Sequence, residues 1–528
     1  MNTLNLSRLT LAITATLATT TAFAAGLDRS GQNTTAFFQD GLYAEAVYTY
    51  IDGDVTGYDN ANGPSANYAK GNKLNNIIET YDFFRFGVKD DINDKWSVGV
   101  LYDEPWGAAV KYSGDNNFVT NEDTLYPILS QGKLESAQAA KDGLNQINAG
   151  IGKIDAGISQ IDSGIGQIDA GISKIDAGIA QAQSAGLTDQ VNALNQQKSG
   201  LETKKSGLET QKSALETQKS ALETKKSGIE KVQGLVANES DAIGEKTNVE
   251  VRTNSLTGIV GYKFGENNNF QVYGGPVLQR LHADISLRGS SYSGLTGYDM
   301  HISPESDLGW LAGVAYYKPE IALKAALTYR SEIDHKNSVD EVVPVGDIKV
   351  AAKELKYKND NGSIDITTPA SVNFDFQTGL NQTTLLTANV RYVPWSDFSI
   401  TPPNYNTTST LKPEFKEKGL PIVAYDDDQW KVDLGLAKRL NDKLAVSGNV
   451  GWDSGAGNPT TSLGPVEGYY SAGLGAKYNI TDSWAVSAGG KYLWFGDADA
   501  MVPSRDLVGR FEDNDGFVAG IKLSYQEK

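Results

Sequence analysis

Apolar and polar residues alternate along fourteen segments of the chain, which is the pattern of β-strands with one apolar face. The predicted strands centre on 43–52, 77–88, 95–112, 249–264, 269–288, 299–317, 321–334, 367–378, 384–400, 428–439, 443–453, 467–479, 484–496 and 509–525. In the last strand one face consists of Phe517, Ala519, Ile521, Leu523 and Tyr525. Because side chains of a strand point alternately to its two sides, each strand is predicted to separate two different environments.

The connections between these strands are alternately long and short. The long ones are 53–76, 113–248, 289–298, 335–366, 401–427, 454–466 and 497–508. The short ones are turns of a few residues, such as Asn441-Asp442 and Thr481-Asp482. An even number of antiparallel strands, with short turns at one rim and long loops at the other, is typical of outer-membrane barrels. The sequence therefore predicts an all-β fold, a 14-stranded antiparallel transmembrane β-barrel, in preference to a large soluble β-sandwich.

The first 24 residues have the features of a secretory signal peptide. Arg8 precedes an apolar run, and Ala22-Phe23-Ala24 forms a small-x-small cleavage site. The chain contains no cysteine, which excludes disulfides and thiolate metal sites. Its net charge of −18 argues against a nucleic-acid partner. These features predict a protein of the Gram-negative cell envelope, located in the outer membrane.

An insert at 129–245 follows a different periodicity. Isoleucines from Ile151 to Ile179 recur in steps of three and four, and Leu or Ile recurs every seven residues from Leu194 to Ile229. Folding the chain back at Gly186 places Ile or Leu opposite Ile or Leu, and Asp opposite Lys, over several heptads. This predicts an antiparallel α-helical coiled-coil hairpin in a loop at the cell surface, with a low-complexity linker as the alternative. The recurring glycines of the first helix are expected to cost about 1 kcal/mol each relative to alanine.

Motifs of catalysis are absent from the sequence. It has no nucleophile elbow, phosphate-binding loop or zinc-ligand spacing, and its three histidines are isolated. We therefore predict neither an enzyme nor a catalytic residue, and no metal or other cofactor.

Several stretches resemble the outer-membrane long-chain fatty-acid and hydrocarbon transporter family of the FadL and TodX type. They are Ala25–Gln32, Phe37-Phe38-Gln39-Asp40-Gly41, Tyr50–Val55, Trp96–Val100 with Asp103–Ala108, Leu327–Ile333, Thr368–Val372 and Val390–Phe398. The resemblance implies an N-terminal plug, here 25–40, and barrel strands 1–3 at 41–128 and 4–14 at 246–528. The plug is short, and the family's Asn-Pro-Ala near its end is replaced by Phe38-Gln39-Asp40-Gly41.

The resemblance also implies site residues. Sideways release through a kinked third strand is expected at Asp103, Glu104, Pro105, Trp106 and Gly107, where proline interrupts a ladder and glycine permits a bulge. An ordinary strand end is the alternative. The predicted ligand-binding residues are Phe37, Phe38, Arg330 and Arg391. Both arginines face inward by parity and could hold a ligand carboxylate, or instead pair with Glu332, Asp375 or Asp433.

The predicted function is passive uptake of hydrophobic compounds such as long-chain fatty acids, with lateral release through the barrel wall. The expected partners are a long-chain fatty acid or hydrocarbon ligand, outer-membrane lipid and lipopolysaccharide, and the protein is expected to be a monomer. The main alternative is a surface adhesion protein that presents the coiled-coil hairpin on a barrel anchor. A general porin with an open aqueous lumen is a further alternative.

Overall fold

The structure, a computed structural model, describes residues 27–130, 133–238, 242–343, 358–410 and 413–527. The predicted signal peptide, 1–24, and the first two residues of the predicted plug lie outside this range. The chain divides into two units, one formed by the residues up to Thr120 together with those from Gly244 onward, the other by Asn121–Ile243.

The first unit contains a closed antiparallel barrel of fourteen strands, as the alternation predicted. The first seven are β1 Tyr43–Asp54, β2 Tyr81–Asp91, β3 Trp96–Asp103 with Gly107–Lys111, β4 Asn248–Phe264, β5 Phe270–Leu287, β6 Tyr298–Lys318, and β7 Leu323–Arg330 with Ile333–Val343. The others are β8 Lys358–Thr368 with Ser371–Asn381, β9 Thr384–Val393, β10 Gln429–Arg439, β11 Leu444–Asp453, β12 Glu467–Asn479, β13 Trp484–Gly496 and β14 Asp515–Gln526. Twelve residue pairs between β1 and β14 close the barrel.

The strands form a barrel because their apolar residues point outward. On β10, Leu434 and Leu436 point outward and are 49 % and 52 % exposed. The alternate positions, Asp433 and Gly435, point inward, and Asp433 is buried. A continuous row of exposed apolar side chains is typical of a barrel wall that contacts lipid. Aromatic residues ring both ends of the apolar band, for example Trp484 at one end of β13 and Trp494 at the other. None of the helices among the described residues is long and apolar enough to cross a membrane.

The prediction of a loop at 335–366 was wrong over its whole described length. Ile333–Val343 and Lys358–Thr368 extend β7 and β8, paired in register from Ile333 opposite Thr368 to Val343 opposite Lys358. The outward residues here are polar, such as Asp334 and Lys336, and the inward ones include Asn337. The inward row mixes apolar residues such as Val339 and Ile364 with the polar Asn337, so the alternation here is weaker than in the other strands. Residues 344–357 of the predicted loop lie outside the described range.

The long connections carry structure of their own. Five short strands form a second sheet: Gly57–Asn60, Lys70–Leu74, Thr460–Thr461, Ala498–Met501 and Leu507–Phe511. Ser399–Ile400 pairs with Val423–Ala424. The short helical segments of this unit are 3-10 helices at Thr35–Phe38, Ser290–Leu295, Pro319–Ile321, Trp395–Asp397 and Pro413–Phe415, and an α-helix at Pro403–Ser409.

The second unit contains the predicted helical hairpin. Its helices are α1 Glu122–Leu129, α2 Ala137–Ser184 and α3 Thr188–Asn238, with Gly186 left-handed in the turn (φ 68°). Four Lys–Asp pairs join α2 and α3 at 2.7 Å, and they are Lys198–Asp176, Lys205–Asp169, Lys212–Asp162 and Lys219–Asp155. These pairs follow the predicted register.

The glycines of α2 have a packing role that the sequence did not reveal. A Cβ atom added to Gly157, Gly164 or Gly171 would lie 3.3–3.4 Å from the Cδ1 atom of a leucine on α3. Each of these glycines therefore makes room for a leucine, and the close approach of the helices offsets part of the propensity cost.

Candidate functional site

A short N-terminal segment fills part of the barrel lumen. Its 3-10 helix, Thr35–Phe38, places the rings of Phe37 and Phe38 5.7 Å and 5.2 Å from that of Tyr273. A Cβ atom on Gly99 or Gly261 would lie less than 3 Å from the Phe37 ring, so these two strands accept the ring only because they carry glycine there. Both predicted ligand-binding phenylalanines thus act as packing residues of the plug in this state.

A buried ion pair fixes the start of this segment. The Arg391 Nε donates to the Asp28 carboxylate at 2.7 Å, and its Nη2 donates to the other oxygen at 3.2 Å. The side chains of Arg391 and Asp28 are 1 % and 0 % exposed. Arg391 also donates to Asn373 at 2.8 Å and lies 5.4 Å from the Trp106 ring. The predicted arginine is therefore engaged by the plug itself, through an acidic residue that the sequence analysis did not select.

Further hydrogen bonds tie the segment to two sides of the barrel. Ser371 donates to the Gln32 side-chain oxygen at 2.5 Å, and Asn373 donates to the Gly31 carbonyl at 2.8 Å. On the other side, the Ser30 hydroxyl donates to Asp103 at 2.9 Å. The plug is held by β8 and β9 on one side and by the predicted opening on the other.

The hydrogen-bonded wall is interrupted between β2 and β3. Their ladder ends at Phe86 opposite Tyr102, and the next pairing in the same register is an isolated bridge between Ile78 and Val110. Between these two pairs β3 carries Asp103–Ala109. The Glu79 amide donates to the Ala109 carbonyl at 3.1 Å, and the other backbone bonds of this segment go to β4 and to the plug. Pro105, which cannot donate to a ladder, lies within this break. The five residues predicted to form the opening lie at this break.

The plug replaces β2 along the break. Asp28 bridges to Trp106, the Arg29 amide donates to the Pro105 carbonyl at 2.8 Å, and the Gly107 amide donates to the Leu27 carbonyl at 2.8 Å. Burial removes water from the Arg29 guanidinium and lowers its pKa. The N-terminal segment consequently satisfies backbone groups that the interrupted strand would leave without partners.

Polar side chains cover the outer side of the break. The Glu104 carboxylate accepts a long hydrogen bond from the Phe84 amide, at 3.5 Å, and Arg252 lies 4.5 Å from the ring of Tyr81. A side chain at Gly107 would overlap the Tyr81 hydroxyl. Few hydrogen bonds thus join β2 to β3 across the break, and the one that Glu104 accepts from Phe84 is long and therefore weak.

A small apolar cavity adjoins the plug and the break. The residues that line it are Leu27, Trp106, Val251, Thr253, Leu281, Ala283, Ile302, Ile366, Thr368, Pro369, Trp395, Phe398 and Ile400. The ring of Trp106 contacts that of Trp395 edge to face at 5.2 Å. No charged side chain is among the lining residues, which suits an uncharged apolar ligand.

Arg330 occupies a separate position in the lumen. It is 4 % exposed, and its Nη1 donates to the Thr257 hydroxyl at 3.2 Å. Arg330 does not line the apolar cavity. Sequence reasoning selected the two arginines and Trp106 but missed Trp395, Phe398 and Ile366. Each of these three residues lies at least 260 positions after Trp106 in the chain. Within the described residues, no group of His, Asp and Glu side chains could hold a metal ion.

Comparisons with known proteins identify a matching family and similar solved structures. The family model described as outer membrane protein transport protein (OMPP1/FadL/TodX) matches residues 241–522, more than half of the chain. A TodX deltaS2S3 mutant monoaromatic hydrocarbon channel is 10 % identical, with 96 % of this chain and 99 % of that chain covered and a TM-score of 0.49.

Two further solved structures give similar values. The toluene transporter TodX of Pseudomonas putida is 9 % identical, with 97 % of each chain covered and a TM-score of 0.48. The CymD monoaromatic hydrocarbon channel is 10 % identical, with 93 % of this chain and 89 % of that chain covered and a TM-score of 0.44. The comparison with curated proteins finds no match.

Proposed function

Because the chain belongs to the OMPP1/FadL/TodX family of outer-membrane transport proteins, a family of channels for hydrophobic compounds, we propose a route for such compounds through this barrel. In this proposal the compound enters the apolar cavity from the long-loop side and leaves sideways through the break in β3. The observation that carries the proposal is the position of Trp106, which lines the cavity and belongs to the break.

The substrate class follows from the cavity lining. Long-chain fatty acids carry a carboxylate, and a carboxylate in this cavity would lose its hydration without meeting a cation. A compact uncharged compound, such as an aromatic hydrocarbon or a short alkane, would bury its surface there without that cost. We therefore propose that neutral hydrocarbons are taken up in preference to fatty acids, the substrate that the sequence suggested.

The exit follows from the lack of ladder bonds at the break. Separating paired strands in lipid would leave backbone groups without partners, at a cost of several kcal/mol each. Between Phe86–Tyr102 and Ile78–Val110 that cost is largely absent, because β2 and β3 are not paired there. A compound in the cavity would have to displace Trp106 and the adjoining plug residue Leu27.

Replacing Ile366 with Asn should weaken hydrocarbon binding about tenfold, because the ligand would cover an amide that finds no hydrogen-bond partner. The measurement is quenching of tryptophan fluorescence by bromobenzene in the purified protein, since Trp106 and Trp395 line the cavity. Ile366→Leu is the matched control and should bind normally, since it conserves volume. Equal affinity of the Asn and Leu variants would exclude this cavity as the binding site, and tighter competition by palmitate than by toluene would reverse the proposed substrate preference.

A disulfide across the break should stop uptake. Phe84 and Glu104 lie two residues beyond the last paired residues on their strands, so cysteines at both positions face each other across the opening. The chain has no cysteine of its own, which leaves the engineered pair unambiguous. We expect the oxidised variant to take up toluene into proteoliposomes at least tenfold more slowly, and a reductant to restore the rate.

The control for this lock is a pair of cysteines at Val88 and Val100, which are opposite each other in the intact part of the same ladder. Oxidation there joins strands that are already paired, so uptake should not change. If the oxidised Phe84–Glu104 variant transports at the rate of its reduced form, the compound does not leave through the break.

A further inference from the structure

Buried cations outnumber carboxylates on one side of the lumen, and we propose that this side binds a small oxyanion, such as phosphate or a carboxylate. We call this side of the lumen, which lies against β10–β14, β1 and β2, the chamber. Its basic residues are Arg85, Lys431, Lys477, Lys491 and Lys522. Each is at most 6 % exposed. The protein as a whole carries a net charge of −18, so the local excess of positive charge runs against its overall composition.

Four of the five cations share two carboxylates. Glu45 lies 3.5 Å from both Arg85 and Lys522. Asp433 lies 3.2 Å from Lys431. It also accepts a hydrogen bond from Lys491 at 2.6 Å. Each carboxylate therefore faces two cations.

The remaining charged groups do not remove this excess. Asp453 is opposite Lys431 in the β10–β11 ladder and accepts hydrogen bonds from Gln429 and the Gly455 amide. With Asp453 counted, five cations still meet only three carboxylates. Lys324 and Asp375 also border the chamber and contribute one charge of each sign. A buried excess of positive charge is costly, and a bound anion would reduce that cost.

The chamber has space for such an anion. A cavity of about 80 Å³ is lined by Glu45, Asp433, Lys522 and Asn449, among others. A Cβ atom on Gly473 would lie 2.8 Å from Lys491 and 2.5 Å from Asn449, so glycine leaves room for these two side chains.

Two donors in the chamber also lack an acceptor. Among the described residues, the Arg85 Nε–H and the Asn449 side-chain amide are buried with no hydrogen-bond partner. Ammonium, guanidinium and amide donors together match the oxygen acceptors of phosphate or carboxylate.

This site is independent of the proposed hydrocarbon route. None of its lining residues lines the apolar cavity, and none lies at the break in β3. The oxyanion could be free in solution or could be the headgroup of an amphiphilic compound. Both sources present the same oxygen atoms to the same cations, and only competition experiments separate them.

The test is the thermal unfolding midpoint of the full-length protein in detergent, with sodium phosphate or sodium chloride at equal ionic strength. Because a ligand that binds only the folded state stabilises it, phosphate should raise the midpoint. Lys491→Met and Lys522→Met should each require at least tenfold more phosphate for the same rise. Lys438→Met, which removes an exposed lysine from β10, is the matched control and should respond like the wild type.

Absence of a phosphate effect in the wild type, or an equal effect in the Lys491→Met and Lys522→Met variants, would overturn the proposal. If those variants do not insert, selenate diffused into wild-type crystals decides the question: anomalous density in the chamber supports the site, and density on the outer surface alone overturns it. Competition by decanoate and not by decanol would identify a headgroup as the bound group, and competition by neither would identify a free anion. Both of these competition results require the chamber to bind an anion.

Discussion

Arg391→Met is expected to release the plug from the barrel wall. The change leaves Asp28 buried at 0 % exposure with no cation, and breaking one partner of a buried ion pair costs about 3–5 kcal/mol. It also removes the hydrogen bond to Asn373 and the contact with Trp106. The variant should show higher and more variable conductance in planar bilayers than the wild type, and faster cleavage of its N-terminal segment by protease.

The double variant Asp28→Asn with Arg391→Met is the control for this experiment. It loses the same ion pair without leaving a buried charge, so most of the plug's protection should return. Lys438→Met should behave like the wild type, because Lys438 is exposed on the outer side of β10. An Arg391→Met protein with wild-type conductance and protection would mean that the remaining bonds, such as Ser30–Asp103 and Ser371–Gln32, hold the plug on their own.

The barrel could be predicted from the sequence because its signal is local. Alternation with period two marks each strand, and the unequal lengths of successive connections place the loops at one rim. The prediction failed at 335–366, where residues such as Asp334, Lys336 and Asn337 are polar on both faces of a paired strand. A strand segment without an apolar outer row keeps only the weaker signal of its inward residues, such as Val339 and Ile364.

The candidate site could be predicted only in part. Pro105 and Gly107 marked the position of the break because their backbone chemistry is local. The partner of Arg391 could not be found this way, since Asp28 lies 363 residues away in the chain. The apolar cavity combines Leu27 with side chains as distant as Ile400, and no window of sequence contains both. Whether the break opens for a ligand stays a prediction.

The helical hairpin contains two sets of glycines, one that faces leucines of the other helix and one that faces open space. Replacing Gly157, Gly164 and Gly171 by Gln should unfold it, because a Cβ atom at these positions already meets a leucine Cδ1 at 3.3–3.4 Å. A longer side chain has to push α3 away, which also separates the Lys–Asp pairs such as Lys205–Asp169. The measurement is circular dichroism of the isolated 135–235 peptide during heating.

The matched set is Gly166, Gly200 and Gly207, which have open space where a Cβ atom would be added. The same three Gln substitutions there should stabilise the peptide by roughly 0.5 kcal/mol each, because Gln is the better helix former. If the same Gly-to-Gln substitution lowers the melting temperature in the first set and raises it in the second, leucine packing, and not helix propensity, explains the glycines of α2. A rise in melting temperature for both sets would mean that the two helices do not pack against each other in the peptide, and that each is stable by its own propensity alone.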